Sequence, residues 1–266
     1  MSLKESPWRA CNPERMHPWY HEGAGFFGAA YLEEYSAVLP PERTLAEVDF
    51  VEQVLDLPRG ARILDLACGH GRHAVELAGR GYEVTGQDLS SYFLGEGQRK
   101  ALDRGVSVRW VERDMRTIDA DEPYDAVISM FTGFGYFESD EENVRVLSAV
   151  AGALVPGGRF LLDVVNRERI MRVYREKDWT RLDNGVTVLT ERHFDFAGGR
   201  NQETRTWIFP NGRERSLRVD LRLYTTRELR TMLSTVGLEV DETFGGFDGG
   251  PLDLDAPECI LVCTRV

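Results

Sequence analysis

The chain has 266 residues, 42% of them apolar, which is enough to bury a full core as one large domain or a domain carrying an insertion. Its 32 basic and 44 acidic residues leave a net charge of −12, which repels a phosphate backbone and makes nucleic acid a disfavoured partner. No apolar run approaches the ~18 residues that a bilayer requires, and the first twenty residues lack the continuous apolar stretch of a secretion signal, so a cytoplasmic location with no membrane partner is expected.

Four cysteines, Cys11, Cys68, Cys259 and Cys263, show no CxxC spacing. Along one strand the sulfurs of Cys259 and Cys263 would stand about 13 Å apart at ~3.3 Å per residue, too far to bridge. All four read as reduced, and no metal site is expected.

In chain order, residues 1–44 read as a helical cap rich in aromatics, with Trp19, Tyr20, Phe26, Phe27, Tyr31 and Tyr35. Short apolar or β-branched runs follow at 61–67, 82–87, 107–112, 124–131 and 159–166, separated by helix-length or loop segments. This alternation predicts a doubly wound, mostly parallel sheet over residues 45–166. Helix starts are marked by a hydroxyl three residues ahead of a glutamate at Thr44/Glu47, Ser139/Glu142 and Thr225/Glu228. Gly81 and Gly237 stand where C-terminal glycines belong.

From about 167 to 224 the text changes to charged, alternating strands with turn signals at Asn184-Gly185, Gly198-Gly199 and Asn211-Gly212. Leu217, Val219, Leu221 and Leu223 occupy every second position, which predicts an antiparallel insertion with one wet face. Its free edge offers a second subunit a place to pair, so a homodimer through the insertion is an open expectation. Residues 225–266 return to the core as a helix and two strands.

The stretch ILDLACGHGRHAVELA, residues 63–78, carries the ligand chemistry. A strand ending at Ala67 and a helix beginning near Arg72 force a tight turn at Cys68-Gly69-His70-Gly71, where glycines let a ligand approach the backbone. The same residues satisfy the dinucleotide pattern GxGxxA, with Asp88 where a ribose-binding acid belongs. Asp65, four residues before Gly69, disfavours a pyrophosphate and welcomes a cationic amine. The expected ligand is zwitterionic.

The segment Asp65-Leu66-Ala67-Cys68-Gly69-His70-Gly71 resembles the first motif of the class I S-adenosylmethionine (SAM) dependent methyltransferases, with Ala67 in place of the usual first glycine. Asp88 resembles the acid that holds both ribose hydroxyls. Arg113-Asp114-Met115 is similar to the stretch that meets adenine, Tyr124-Asp125-Ala126-Val127 to the fourth strand, and Leu154-Val155-Pro156-Gly157-Gly158 to the turn before the fifth. The resemblance implies SAM as cofactor, a seven-stranded sheet with an antiparallel last strand, and a cofactor set of Asp65, Ala67, Gly69, Gly71, Asp88, Leu89, Asp114, Met115, Met130 and Arg43. Arg43 would reach the methionine carboxylate if the cap folds over. The insertion and the aromatic cap are similar to those of small-molecule enzymes such as amino-sugar N-methyltransferases.

Methyl transfer from a sulfonium needs alignment in a water-poor pocket, an effect that can supply ~7–11 kcal/mol, so a dedicated acid or base need not exist. Tyr20 and Tyr136 are the candidates to touch the reacting atoms. Phe131 and Phe134 are further aromatics whose faces favour a cation by ~0.5–2 kcal/mol each. Aromatics at helical spacing such as Phe27, Tyr31 and Tyr35 are more often core. His70 would face solvent or substrate, and His73 would be structural. Arg192, Arg200, Arg205, Arg213, Arg215, Arg218 and Arg222 either favour an anionic small-molecule substrate or form a solvated sheet face. Against a small-molecule methyltransferase stand a tRNA or protein methyltransferase, a nicotinamide-dependent oxidoreductase and a non-catalytic SAM-binding protein.

Overall fold

The computed structural model describes Tyr20, Phe27, Gly28, Tyr31, Leu32 and residues 39–266. Cys11, Trp19, Phe26, Tyr35 and most of the 1–44 segment lie outside the described residues. The elements in order are α1 (Pro41–Leu55), β1 (Arg62–Leu66), α2 (Arg72–Gly79), β2 (Glu83–Asp88), α3 (Ser91–Arg104), β3 (Arg109–Glu112), β4 (Tyr124–Ser129), α4 (Asp140–Ala153) and β5 (Leu154–Val165). Then come α5 (Arg167–Arg172), β6 (Lys177–Arg181), β7 (Thr187–Asp195), β8 (Arg200–Ile208), β9 (Glu214–Arg222), α6 (Thr226–Thr235), β10 (Leu238–Phe244) and β11 (Glu258–Arg265).

The main sheet has seven strands in the order β10-β11-β5-β4-β1-β2-β3. The five from β1 to β5 pair in parallel, and β11 runs antiparallel to both β5 and β10. Both faces are buried, and the two-residue period of a strand sorts side chains between them. Leu64, Leu66, Phe160, Leu162 and Leu261 join α4 and α6 in one core. Ile63, Ala126, Ile128, Leu161 and Ile260 join α1 and α2 in the other. Cys259 and Cys263 point to the first face two pleats apart, and both are buried free thiols. The chain order reverses between β1 and β4, which opens a crevice at their carboxyl ends.

Residues 177–222 fold into a second, antiparallel sheet, β6-β7-β8-β9, with Gly185, Gly199 and Gly212 at positive φ in its turns. Val186, Val188 and Trp207 form its buried face, against which Phe27, Tyr31, Leu217 and Val219 pack. The apolar side of the insertion thus faces the aromatic residues of the N-terminal segment, over the crevice.

Two capping expectations hold and one does not. Thr225 and Glu228 form a reciprocal capping box, and the Ser139 hydroxyl accepts the Glu142 N–H. Thr44 is no cap: α1 begins at Pro41, whose missing N–H and fixed φ suit the first turn, so Thr44 lies inside the helix. Its hydroxyl accepts from Arg72 instead, and Glu47 is buried under α2. The fifth strand starts at Leu154, five residues before its predicted start, so the Pro156-Gly157-Gly158 turn falls inside it with a register shift opposite Tyr124 and Ala126.

Candidate active site

The crevice holds a cavity of about 980 Å³ including its mouth. Asp65, Ala67, Gly69, Asp88, Leu89, Asp114, Met115, Met130, Tyr20 and Tyr136 all line it. The strand ends of β1, β2 and β4 supply the first part of this set, and the loop after β3 supplies Asp114 and Met115.

Asp65 is fully buried in β1, and its Oδ2 has no hydrogen-bond partner among the described residues. Burial, with the Asp88 charge nearby, pushes its carboxyl up to about 7 against the pull of Arg72 and the Ala74 N–H. A buried carboxylate oxygen without a partner is costly, and a cation beside it relieves that cost.

Asp88, at the end of β2, works on the backbone. Its Oδ2 accepts the Gly69 N–H at 2.8 Å and its Oδ1 accepts the Ser90 N–H at 2.8 Å. It therefore ties the turn after β1 to the turn after β2. Gly69 adopts φ +53 with no atom within 4 Å of where a Cβ would stand, so the backbone is bare toward the cavity. Ala67 also adopts a left-handed φ of 57, a conformation that costs a side-chain-bearing residue of order 1 kcal/mol.

On the other side of the cavity, Gln87 donates to the carbonyls of Asp114 and Thr117 at 3.2 and 3.0 Å and so fixes the loop after β3. Burial raises the Asp114 carboxyl, but three hydrogen bonds from Arg116 outweigh it and hold it below its ordinary range. Tyr20 packs edge-on against Phe137 and Tyr136, at 5.4 and 6.2 Å between ring centroids. Phe131 takes φ 56, and the guanidinium groups of Arg43 and Arg72 lie 5.4 and 5.5 Å from its ring.

Three expected residues sit elsewhere. Gly71 does not line the cavity: a Cβ there would stand 2.3 Å from the Trp110 ring, which also lies against Gly86 and Gly97. Arg43 lines a second, adjoining cavity and pairs with Glu47 at 2.8 Å and Glu258 at 3.6 Å. Phe134 is buried in the core against Tyr224, away from both cavities.

His70 and His73 both reach the cavity wall. Burial and the Lys100 ammonium beside it push His70 down to about 4, so it is neutral near pH 7. His73 is likewise lowered to about 4 by burial and Arg72, and it bonds Glu47 at 2.8 Å. Burial raises Glu47, but His73 and Arg72 outweigh it and bring it to about 2. Arg72, Gln87 and Phe93 are cavity residues that the sequence reading missed. The helical start at Arg72 and the buried polar residue just before Asp88 in β2 are the available signals.

The second cavity, about 1710 Å³ including its mouth, lies between the carboxyl edge of the main sheet and the apolar face of the insertion. Phe27, Tyr31, Phe131 and Tyr136 line both cavities and form their common wall.

An open parallel sheet reversing between β1 and β4, with a bare glycine turn and two acids at the adjoining strand ends, is the arrangement that the likeness to class I SAM-dependent methyltransferases leads one to expect. Residues 63–158 match the family described as a methyltransferase domain. The putative methyltransferase YqeM of Bacillus subtilis is 32% identical over 143 residues, which are 53% of this chain and 56% of that protein, so the match spans about half of each. The glycine/sarcosine N-methyltransferase of Halorhodospira halochloris is 29% identical over 228 residues, 84% of this chain and 82% of that protein. Among solved structures, the CcbJ methyltransferase of Streptomyces caelestis superposes with a TM-score of 0.76 at 22% identity, over 85% of this chain and 90% of that one. The domain match covers 96 of the 266 residues, the stretch from β1 into β5, and the solved methyltransferase shares the fold.

Proposed function

We propose that the chain transfers a methyl group from SAM to a small molecule held in the second cavity. The observation that carries this reading is the aromatic wall of Phe27, Tyr31, Phe131 and Tyr136 shared by the two cavities. A reaction across that wall is enclosed by apolar rings on both sides, away from bulk water.

When bound, SAM supplies an activated methyl group on a sulfonium. In our reading Asp65, with its unpartnered oxygen, receives the cofactor's ammonium. The bare backbone at Gly69 takes the methionyl part, and Asp88 with Leu89 takes the ribose. Met115 and the Asp114 loop flank adenine, with Ala67 and Met130 on the floor. Tyr136, which lines both cavities, orients the acceptor, and Tyr20 packs behind it from the first cavity, where burial raises its hydroxyl above the usual range. Arg43 acts on the acceptor side, where its pairing with Glu258 puts it.

The acceptor in this reading is not an anion. Of the seven insertion arginines only Arg192 and Arg205 line the second cavity, and both pair with Glu203, at 3.1 and 3.0 Å. Arg200 pairs with Asp220, and Arg222 with Asp140 and Glu228. In this reading the chain also pairs with a second copy of itself. The exposed strand β6 with Trp179 at the free edge of the insertion is the surface a second copy would use, and the molecular mass from sedimentation equilibrium tests it. No helix among the described residues is long and apolar enough to cross a membrane, and a cytoplasmic setting suits the three buried free thiols.

Isothermal titration with SAM and with NADH tests the cofactor. Methyl-labelled SAM incubated with metabolite pools and read by mass spectrometry tests the acceptor. Binding of NADH in preference to SAM overturns the reading.

A further inference from the structure

The parallel pairing of β4 with β5 ends at Ser129 opposite Leu162. Just beyond it the chain breaks into a turn in which Phe131 and Thr132 stand at φ 56 and 60. Neither is a glycine and Thr132 is β-branched, so two consecutive left-handed residues persist here only because the surroundings hold them. Asp163, the next residue of β5, provides that hold. Its Oδ2 accepts the Phe131 N–H at 2.7 Å, and its backbone carbonyl accepts the Thr132 N–H at 3.1 Å. The Thr132 hydroxyl in turn accepts the Val165 N–H at 3.1 Å. One residue thus takes two successive N–H groups of the turn, one with its side chain and one with its main chain.

The turn sits where position matters. The Phe131 ring lines both cavities, with the guanidinium groups of Arg43 and Arg72 against it at 5.4 and 5.5 Å. Behind the ring, a Cβ at Gly133 would stand 3.2 Å from the Ala67 Cβ and 2.9 Å from the Ser129 Oγ, so the turn after β4 packs on the turn after β1. The non-glycine residues with positive φ among the described residues are Asp56, Ala67, Phe131 and Thr132. Asp56 ends α1; the others line one cavity or both. Backbone strain is therefore concentrated on the wall between the cavities. Packing alone would favour an apolar side chain at position 163, because a carboxyl only 3% exposed within LLDVV is costly to bury.

Resting on the methyltransferase reading above, we propose that Asp163 is a positioning residue: it holds the Phe131–Thr132 turn in its left-handed form, sets the Phe131 ring as the wall beside the cofactor, and so governs SAM affinity through Phe131. A ligand that needs the ring in place binds in proportion to the fraction of molecules that keep it there. The charged groups facing Asp163 are Glu258 from β11 with Glu47 and Arg43 from α1. Burial, aided by the two glutamates, outweighs the Phe131 N–H and Arg43 and pushes the carboxyl up to about 7. The ionised carboxylate is the stronger acceptor, so its bond to Phe131 tightens as pH rises through 7.

Two measurements on the full chain test this. In the ligand-free protein the Phe131 amide proton, followed by NMR with 15N-phenylalanine, should move downfield with a midpoint near pH 7, and Asp163→Asn should remove that step. In calorimetry with SAM, Asp163→Ala should lose about tenfold in affinity, while Asp163→Asn, which still offers an oxygen to the Phe131 N–H, should stay within about threefold of wild type. Glycine takes a positive φ freely, so in the Phe131→Gly background the further change Asp163→Ala should alter SAM affinity by less than about threefold. Should Asp163→Ala fail to fold, the amide resonance in wild type and Asp163→Asn still decides. An amide proton that does not move with pH, a step that survives Asp163→Asn, or a tenfold loss that persists in the Phe131→Gly background overturns the inference while SAM binding by the wild type stands. A wild type that binds no SAM overturns the methyltransferase reading, and with it the role in affinity.

Discussion

The carboxylate of Asp88 accepts the backbone N–H of Gly69 at 2.8 Å, so the end of β2 holds the glycine turn that follows β1. One side chain thereby serves the shape of the turn, and in our reading the ribose as well. Asp88→Ala should weaken SAM binding by about 2–4 kcal/mol, because charge-assisted hydrogen bonds are worth ~1.5–3 kcal/mol each and are not fully additive. Asp88→Asn keeps one acceptor oxygen and should lose less. Calorimetric affinities alongside melting temperatures check this; unchanged affinity in the alanine variant removes Asp88 from the site.

Asp65 should make SAM affinity depend on pH. Its carboxyl lies at about 7 in the fold, above the ordinary 3.8, so the ligand-free protein is stabilised by the neutral acid. That stability is present below pH 3.8 and is lost as pH rises through 7. A cationic ligand requires the ionised form, so affinity should climb up to tenfold per unit between pH 5.5 and 7 and flatten above. Asp65→Asn should remove this slope with most of the affinity, yet raise the ligand-free stability at pH 8 by about 1–3 kcal/mol by deleting a buried charge. Titrations across pH and denaturant melts measure the two effects.

Gly69 and Gly71 should both lose stability on gaining a methyl group, but to different extents and for different reasons. Gly71→Ala drives a Cβ to 2.3 Å from the Trp110 ring and should cost about 1–3 kcal/mol of stability, partly recovered when combined with Trp110→Leu. Gly69→Ala meets open space and pays about 1 kcal/mol for its positive φ, and Gly69→Val should abolish SAM binding with the fold retained. Urea unfolding separates stability from binding in all four variants.

Glu47 is an acid whose loss should be felt through Arg72 and His73. Glu47→Ala strands the Arg72 charge among buried groups and should cost about 3–5 kcal/mol, whereas Glu47→Gln keeps an acceptor and should cost less. With its carboxyl at about 2, Glu47 stabilises the fold above pH 4.5, and that contribution disappears as pH falls through 2. Acid titration of wild type and Glu47→Gln by circular dichroism should show the difference in midpoint.

The sequence by itself determined the order of elements and the place of the crevice. Strand and helix periods are local, so the apolar runs at 61–67 and 124–131 and the glycine turn between Ala67 and Arg72 could be read from neighbours within a few residues. That placed Asp65, Gly69 and Asp88 together, because parallel strands in sequence order put their carboxyl ends on one edge. Other residues depended on partners far along the chain. Gly71 reads as a ligand glycine until Trp110, thirty-nine positions later, is found against it. Thr44 reads as a cap until the helix is seen to start at Pro41 and its hydroxyl to meet Arg72. Arg43 is drawn toward Glu258 on the last strand, and the insertion arginines toward acids on their own sheet. Asp163 stood in an apolar strand as one acid among eight residues, RFLLDVVN, and nothing local told whether it served packing or chemistry. Only the tertiary fold, by setting the turn after β4 against β5, decided that its carboxyl holds the Phe131 N–H, because such a bond acts through space and carries no sequence period.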